Sequence, residues 1–164
     1  MIFDAVEAIT TVLTANFSAD FTALATAKSV ADLPGPPTFV KRQRAEMFRT
    51  LEVSLPAIGI YILRSSTMAK WQGVRDPRST GVFDWYALGS NPVLLAQQTE
   101  LAAEAMLRTV DRLAGSGTGG VYGAGELPDS ITIEVTDGYE KSIEPNYSRR
   151  ATVTFTVYDR DSGL

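Results

Sequence analysis

Ile2, Val6, Ile9 and Leu13 recur at helical spacing, which predicts a helix over residues 2–15. Asn16 and Ser18 interrupt the pattern, and residues 21–27 (FTALATA) predict a short second helix. Leu33-Pro34-Gly35-Pro36-Pro37 forbids helix and forces an extended, turning loop. Residues 57–63 (AIGIYIL) are apolar without interruption, so they predict a strand covered on both faces and central in a sheet. Residues 82–88 (VFDWYAL) predict a second strand, with Phe83 and Trp85 on one face and Val82, Asp84 and Tyr86 on the other.

Asn91-Pro92 opens the clearest helix. Asn91 caps free backbone N–H groups, and Pro92 suits the first helical position because its missing N–H costs nothing there. The helix is expected from Pro92 to Leu113, roughly 33 Å at 1.5 Å per residue. Leu95, Ala102, Met106, Val110 and Leu113 line its apolar side, and Gln97, Glu100, Glu104, Arg108 and Asp111 the other. Glu104 and Arg108 stand at the spacing of a weak ion pair.

Two stretches near the end alternate strictly. In residues 131–137 (ITIEVTD), Ile131, Ile133 and Val135 alternate with Thr132, Glu134 and Thr136. In residues 151–161 (ATVTFTVYDRD), Val153, Phe155 and Val157 alternate with Thr152, Thr154 and Thr156. The two strands are expected to pair antiparallel. Their apolar faces then cover the long helix, and Thr152, Thr154 and Thr156 form an outward face that keeps strand propensity while staying wettable. The order helix, strand, strand, helix, strand, strand predicts an α+β fold: a single, mainly antiparallel sheet packed against a long helix and an N-terminal helix. Residues 1–164 form one domain, with long projecting loops at 67–81, 114–130 and 138–150. Loops of that length are uncommon unless they work.

Composition narrows the chemistry. The 164 residues contain no cysteine and no histidine. Disulfides, thiolate nucleophiles, Ser-His-Asp triads and Cys/His zinc clusters are therefore out of reach. A chain of this length can bury roughly 70% of its unfolded surface and needs no staple. Net charge is −4 and the sequence pI about 4.8, so whole-chain attraction to DNA is not expected. No apolar run is long enough for a membrane span. Asp4 and Glu7 stand where a secretory signal carries Lys or Arg, so use in a cytoplasm, or in a particle assembled there, is expected.

The candidate motifs read blandly. Residues 115–125 (GSGTGGVYGAG) hold six glycines, but they follow a helix and end without Gly-Lys-Ser/Thr, so a linker or projecting loop fits better than a phosphate cradle. Asp137, Asp159 and Asp161 lack any metal-ligand spacing and read as surface carboxylates. The rings of residues 82–86 suit a buried or interface strand better than a base-stacking platform. Lys41, Arg42, Arg44 and Arg49 form the most basic stretch, which a subunit interface explains better than nucleic acid. No catalytic, cofactor or metal residue is expected. The remaining interface candidates sit in the loops: Lys70, Trp71, Arg75 and Arg78 in the first, and Tyr139, Lys141, Tyr147, Arg149 and Arg150 in the joint between the terminal strands.

The layout resembles the tail terminator, or tail completion, family of tailed bacteriophages. The resemblance rests on the N-terminal helix, LPAIGIYIL, VFDWYAL, the long helix NPVLLAQQTELAAEAMLRTVDRL, and the closing pair ITIEVTD and ATVTFTVYD. It is one of patterns across most of the chain, with no diagnostic motif. It implies a structural virion protein forming a ring, usually a hexamer, on the head-proximal end of the tail tube. Such a ring stops tube polymerisation and gives the head connector its docking surface, and the genome passes through its lumen without specific binding. The implied partners are further copies of the chain, the tail tube protein and the neck proteins; no membrane is involved. Its place is the virion, assembled in the host cytoplasm. A head–tail connector or head-completion protein, or a cellular ligand-binding or scaffold domain, remains an alternative. A hexamer favours the first, a dodecamer a connector, and a stable monomer with a ligand the last.

Overall fold

The computed structural model describes residues 2–48, 51–63, 78–115, 132–136 and 147–158. Helix α1 (Ile2–Ala27) is followed by strand β1 (Thr38–Lys41), a short 3-10 turn (Ala45–Met47), β2 (Ala57–Leu63), β3 (Arg78–Gly89), helix α2 (Pro92–Gly115), β4 (Thr132–Thr136) and β5 (Tyr147–Tyr158). The five strands form one sheet in the order β1-β2-β3-β5-β4. Only the β1–β2 pair is parallel. The fold is α+β, with both helices on one face of a mostly antiparallel sheet.

The register explains that one-sidedness. Ile58 pairs with Trp85 and Ile60 with Phe83 across β2–β3. Phe83 pairs with Val153, Trp85 with Ala151, and Gly81 with Phe155 across β3–β5. Alternate residues of a strand share a face, so Ile58, Ile60, Phe83, Trp85, Ala151, Val153 and Phe155 all point one way. They are buried in one core with Ile9, Leu13 and Phe17 of α1 and Leu95, Met106 and Val110 of α2. Rings carry much of this contact: Trp85 stacks on Phe17 at 6.0 Å and on Phe21 at 6.1 Å, and Phe83 meets Phe155 at 4.8 Å between centroids.

Helix α2 matches its expected start, end and buried side. The Asn91 Oδ1 accepts from the backbone N–H groups of Val93 (3.1 Å) and Leu94 (3.2 Å), as a side-chain cap should. Glu104, expected beside Arg108, instead takes the Lys28 ammonium at 2.6 Å and links α2 to the end of α1.

Helix α1 corrects the expected break. It runs unbroken through Asn16 and Ser18. The Asn16 side chain donates to the Val12 carbonyl at 2.8 Å, so it stays within the helix instead of terminating it. Phe17 and Phe21 are buried, and that burial outweighs weak local propensity. Three further corrections concern the sheet. β1 was not anticipated. β2 is second from an edge, with Leu63 exposed, and β3 is the central strand. β3 begins at Arg78 and β5 at Tyr147, so Arg78, Tyr147, Arg149 and Arg150 belong to strands and not to loops. The long partner strand causes this: β3 pairs with β5 from Arg78↔Tyr158 through to Gly89↔Tyr147.

A second inter-helix link joins Asp20 on α1 to Arg112 on α2. The guanidinium Nη2 donates to Asp20 Oδ1 at 2.7 Å, and Nη1 donates to Oδ2. Arg112's hydrogen bonds hold the Asp20 carboxyl below its ordinary value of 3.8; burial opposes this, and the charges of Arg112 and Arg108 add to it. Because the folded-state value lies below the unfolded one, this contribution to stability is complete above about pH 4 and is lost as pH falls through the depressed value. Asp20→Asn should therefore narrow its stability gap to wild type between about pH 5 and about pH 2 in urea titrations. A gap that stays constant across that range would show that the pair does not act through the carboxylate's charge.

Among the described residues, no helix is long and apolar enough to cross a membrane.

Candidate functional site

The sheet's second face, turned away from the helices, carries the polar arrangement. Its register positions are Val82, Asp84 and Tyr86 on β3, opposite Thr154, Thr152 and Arg150 on β5 and Tyr61, Gly59 and Ala57 on β2. Asp84 lies at the centre and is 0% exposed. A charged residue rarely occupies such a place unless it is paired, and Asp84 has several partners. Arg150 donates to it in a fork, Nε to Oδ1 at 2.6 Å and Nη2 to Oδ2 at 2.8 Å. The Ala45 N–H donates to Oδ2 at 2.8 Å, and the Thr152 hydroxyl to Oδ1 at 3.3 Å.

Residues 42–48 and 51–56 fold over part of this face. Ala45, Phe48 and Ala57 form a small second core, with Val40, Val53, Leu55 and Tyr86 packed against it. The Arg42 N–H donates to the Ile60 carbonyl at 2.6 Å, and the Val53 N–H to that of Phe48 at 3.1 Å. A Cβ on Gly59 would stand 2.2 Å from the Gln43 carbonyl oxygen, so the crossing backbone rests directly on β2 where glycine leaves room. Asp84 thus fastens three things at once: the central strand, the crossing segment through Ala45, and the start of β5 through Arg150.

The basic stretch divides. Arg44 lies over the Tyr61 ring at 5.7 Å from its centroid, on the second face. Lys41 and Arg42 turn to Glu7 on α1: the Lys41 ammonium donates to Glu7 Oε2, and an Arg42 nitrogen lies 3.6 Å from Oε1. Lys41's hydrogen bond is the main cause that lowers the Glu7 carboxyl; burial opposes it, and the charges of Lys41 and then Arg42 add to it. These pairs are exposed and therefore weak.

The structure brings Arg44, Arg150, Thr152 and Thr154 to one face of the sheet. Thr152 and Thr154 are half-buried there, while Val153 and Phe155 between and beyond them enter the core. The expected division of the last strand into a core face and a threonine face is observed over these positions. Thr156 lies in β5, and its side chain is outside the described residues, as is that of Arg78 in β3. Tyr147 packs against the main core, on the helix side. Arg49, Lys70, Trp71, Arg75, Tyr139 and Lys141 lie outside the described residues, as do Asp137, Asp159 and Asp161 and most of the glycine-rich stretch.

Asp84 is the residue that the sequence reading passed over. Its signal was present: a single carboxylate inside VFDWYAL, with apolar neighbours on both sides, has to find a partner. What the sequence could not show was that the partners come from residues 45, 150 and 152, far along the chain.

Comparison of the chain with protein-family models and with curated proteins finds no match.

Proposed function

We propose that this chain is a structural protein of a tailed bacteriophage virion, a tail terminator. It acts as a ring, of six copies by the family's habit, that caps the head-proximal end of the tail tube. The ring stops tube polymerisation and gives the head connector its docking surface, while the genome passes through the lumen. The observation that supports this reading most is the two-sided sheet. One face is committed to α1 and α2. The other presents threonine and arginine on β5, held from beneath by a buried carboxylate. A surface so firmly positioned, in a chain without histidine or cysteine, suits contact between subunits better than turnover of a substrate. Its polar character also suits a contact that forms only on assembly, because the free protein must keep it wet.

Tube growth tests the proposal. The matching tail tube protein is polymerised with and without this chain and viewed by electron microscopy. Tubes bounded in length, each with a ring at one end, are expected. Tubes of unchanged length with bare ends would refute the capping role.

Thr154→Lys places a charge on the threonine face. Its effect on folding should stay within about 1 kcal/mol, since a half-exposed strand position tolerates lysine. Ring assembly on tubes should fall at least about tenfold, which corresponds to about 1.4 kcal/mol in the assembly equilibrium. Wild-type capping by a normally folded variant would remove the threonine face from the interface.

A further inference from the structure

Two apolar features of opposite shape lie on opposite faces of the sheet. The concave one is a cavity of about 330 Å³ on the helix face, open to the surface between α1 and residues 33–37. Its walls include Phe17 and Phe21 of the helix and Leu33, Pro34 and Pro37 of the proline segment. Apolar walls offer water few hydrogen-bond partners, so an apolar group that fills the cavity is favoured.

The wall is held in place at both ends. Gln98 Nε2 donates to the Asp32 carbonyl at 2.8 Å, and the Thr38 N–H to the Pro56 carbonyl at 2.9 Å. Between these anchors Pro34, Pro36 and Pro37 have fixed φ angles. An entering group therefore has little chain to order.

The convex feature is one turn of the segment that crosses the second face. The Leu51 N–H donates to the Met47 carbonyl at 3.0 Å, and this four-residue spacing sets the two side chains next to each other. Met47 is 44% and Leu51 47% exposed. Phe48, between them in sequence, is buried in the small second core and fixes the turn from below. The sheet separates this turn from the cavity, so a chain cannot fill its own cavity with it.

Charge follows the same division. Arg44 stands beside the turn, its carbonyl accepting from the Met47 N–H at 3.0 Å. Asp32 directly precedes Leu33 of the cavity wall. Both side chains are exposed, and among the described residues neither has an ion-pair partner. The knob thus carries a free cation at its edge and the socket a free anion.

We propose that the cavity beside α1 receives Met47 and Leu51 of a second copy of this chain, with Arg44 of that copy turned to Asp32. Knob and socket are different patches on opposite faces, so the contact is head-to-tail: each copy gives one and takes one. Such a contact repeats, and it closes into a ring when the rotation per step allows. The inference deepens the ring reading and rests on it for closure, whereas the contact itself is testable without tubes.

The test uses cross-linking of the full chain. The chain has no cysteine, so introduced thiols react alone. Chains with Leu51→Cys are mixed with chains carrying Ser18→Cys, an exposed position at the cavity, and treated with a short bismaleimide. Val93→Cys, exposed in the first turn of α2, replaces Ser18→Cys as the control. The Leu51–Ser18 product is expected to form at least about tenfold faster than the Leu51–Val93 product, the ratio that a preferred contact gives over random collision. Adding Met47→Asp to the Leu51→Cys chain should remove that advantage, with helix content unchanged by circular dichroism. Equal rates for the two pairs, or an advantage that survives Met47→Asp, would each overturn the proposal. Equal rates from a chain that still caps tubes would remove this contact and leave the ring reading. The expected cross-link from a chain that leaves tubes bare would support the contact and remove the capping role.

Discussion

Asp84→Ala should lower the stability of this protein by about 3 kcal/mol, the low end of the cost of breaking a buried ion pair. Asp84 is fully buried, whereas the Arg150 side chain is 24% exposed and can recover some hydration when abandoned. The Ala45 N–H cannot: it is buried and loses its acceptor. Asp84→Asn keeps an oxygen for Ala45 but not the charge that meets the Arg150 fork, so its cost should be smaller, about 2 kcal/mol. Replacing both partners, as in Asp84→Ala with Arg150→Met, should cost less than the two single changes summed, because neither leaves a lone charge behind. Urea denaturation of the four proteins measures this. If Asp84→Ala lies within about 0.5 kcal/mol of wild type, the range of neutral surface changes, Asp84 does not fasten the second face.

Gly59→Ala should be comparably damaging, by about 3 kcal/mol, at the upper end of what overpacking usually costs. The new Cβ would lie 2.2 Å from the Gln43 carbonyl oxygen and 3.2 Å from Phe48 Cζ. A side-chain end could swing aside, but the oxygen belongs to the backbone of the crossing segment. That segment must lift, and with it goes the Ala45 N–H bond to Asp84. Gly59→Ala and Asp84→Ala should therefore be non-additive, each removing part of what the other removes. Hydrogen exchange locates the damage: the Arg42 and Ala45 amides should lose protection well before the β3–β5 ladder does. Unchanged protection at both amides would mean that the segment does not depend on Gly59.

The same residues show what a sequence discloses and what it withholds. Helix α2 was legible because its apolar period, Asn91 cap and Pro92 start are local and agree. The core face of β5 was legible because alternation of threonine with valine and phenylalanine is local too. The continuity of α1 was not legible. Asn16 and Ser18 look like interruptions, yet Asn16 bonds the carbonyl four residues back, as Thr10, Thr11 and Thr14 do before it, and the chain stays helical. β1 was hidden because four residues (TFVK) carry too little pattern, and their strand exists through parallel pairing with β2. The beginning of β5 was hidden in NYSRR, which reads as loop until the length of β3 is known. The Asp84 junction and the cavity beside α1 both depend on segments that meet only in three dimensions. The candidate interface shows the same division. Arg44, Arg150 and the threonines converge on one face, while Lys41 and Arg42 turn to Glu7.

The most direct measurement for the central claim is molar mass by light scattering, first on the protein alone and then with assembled tail tubes. A hexamer is expected, either already in solution or as a mass of six chains gained per tube end. A protein that stays monomeric and adds no mass to tubes would contradict the assignment.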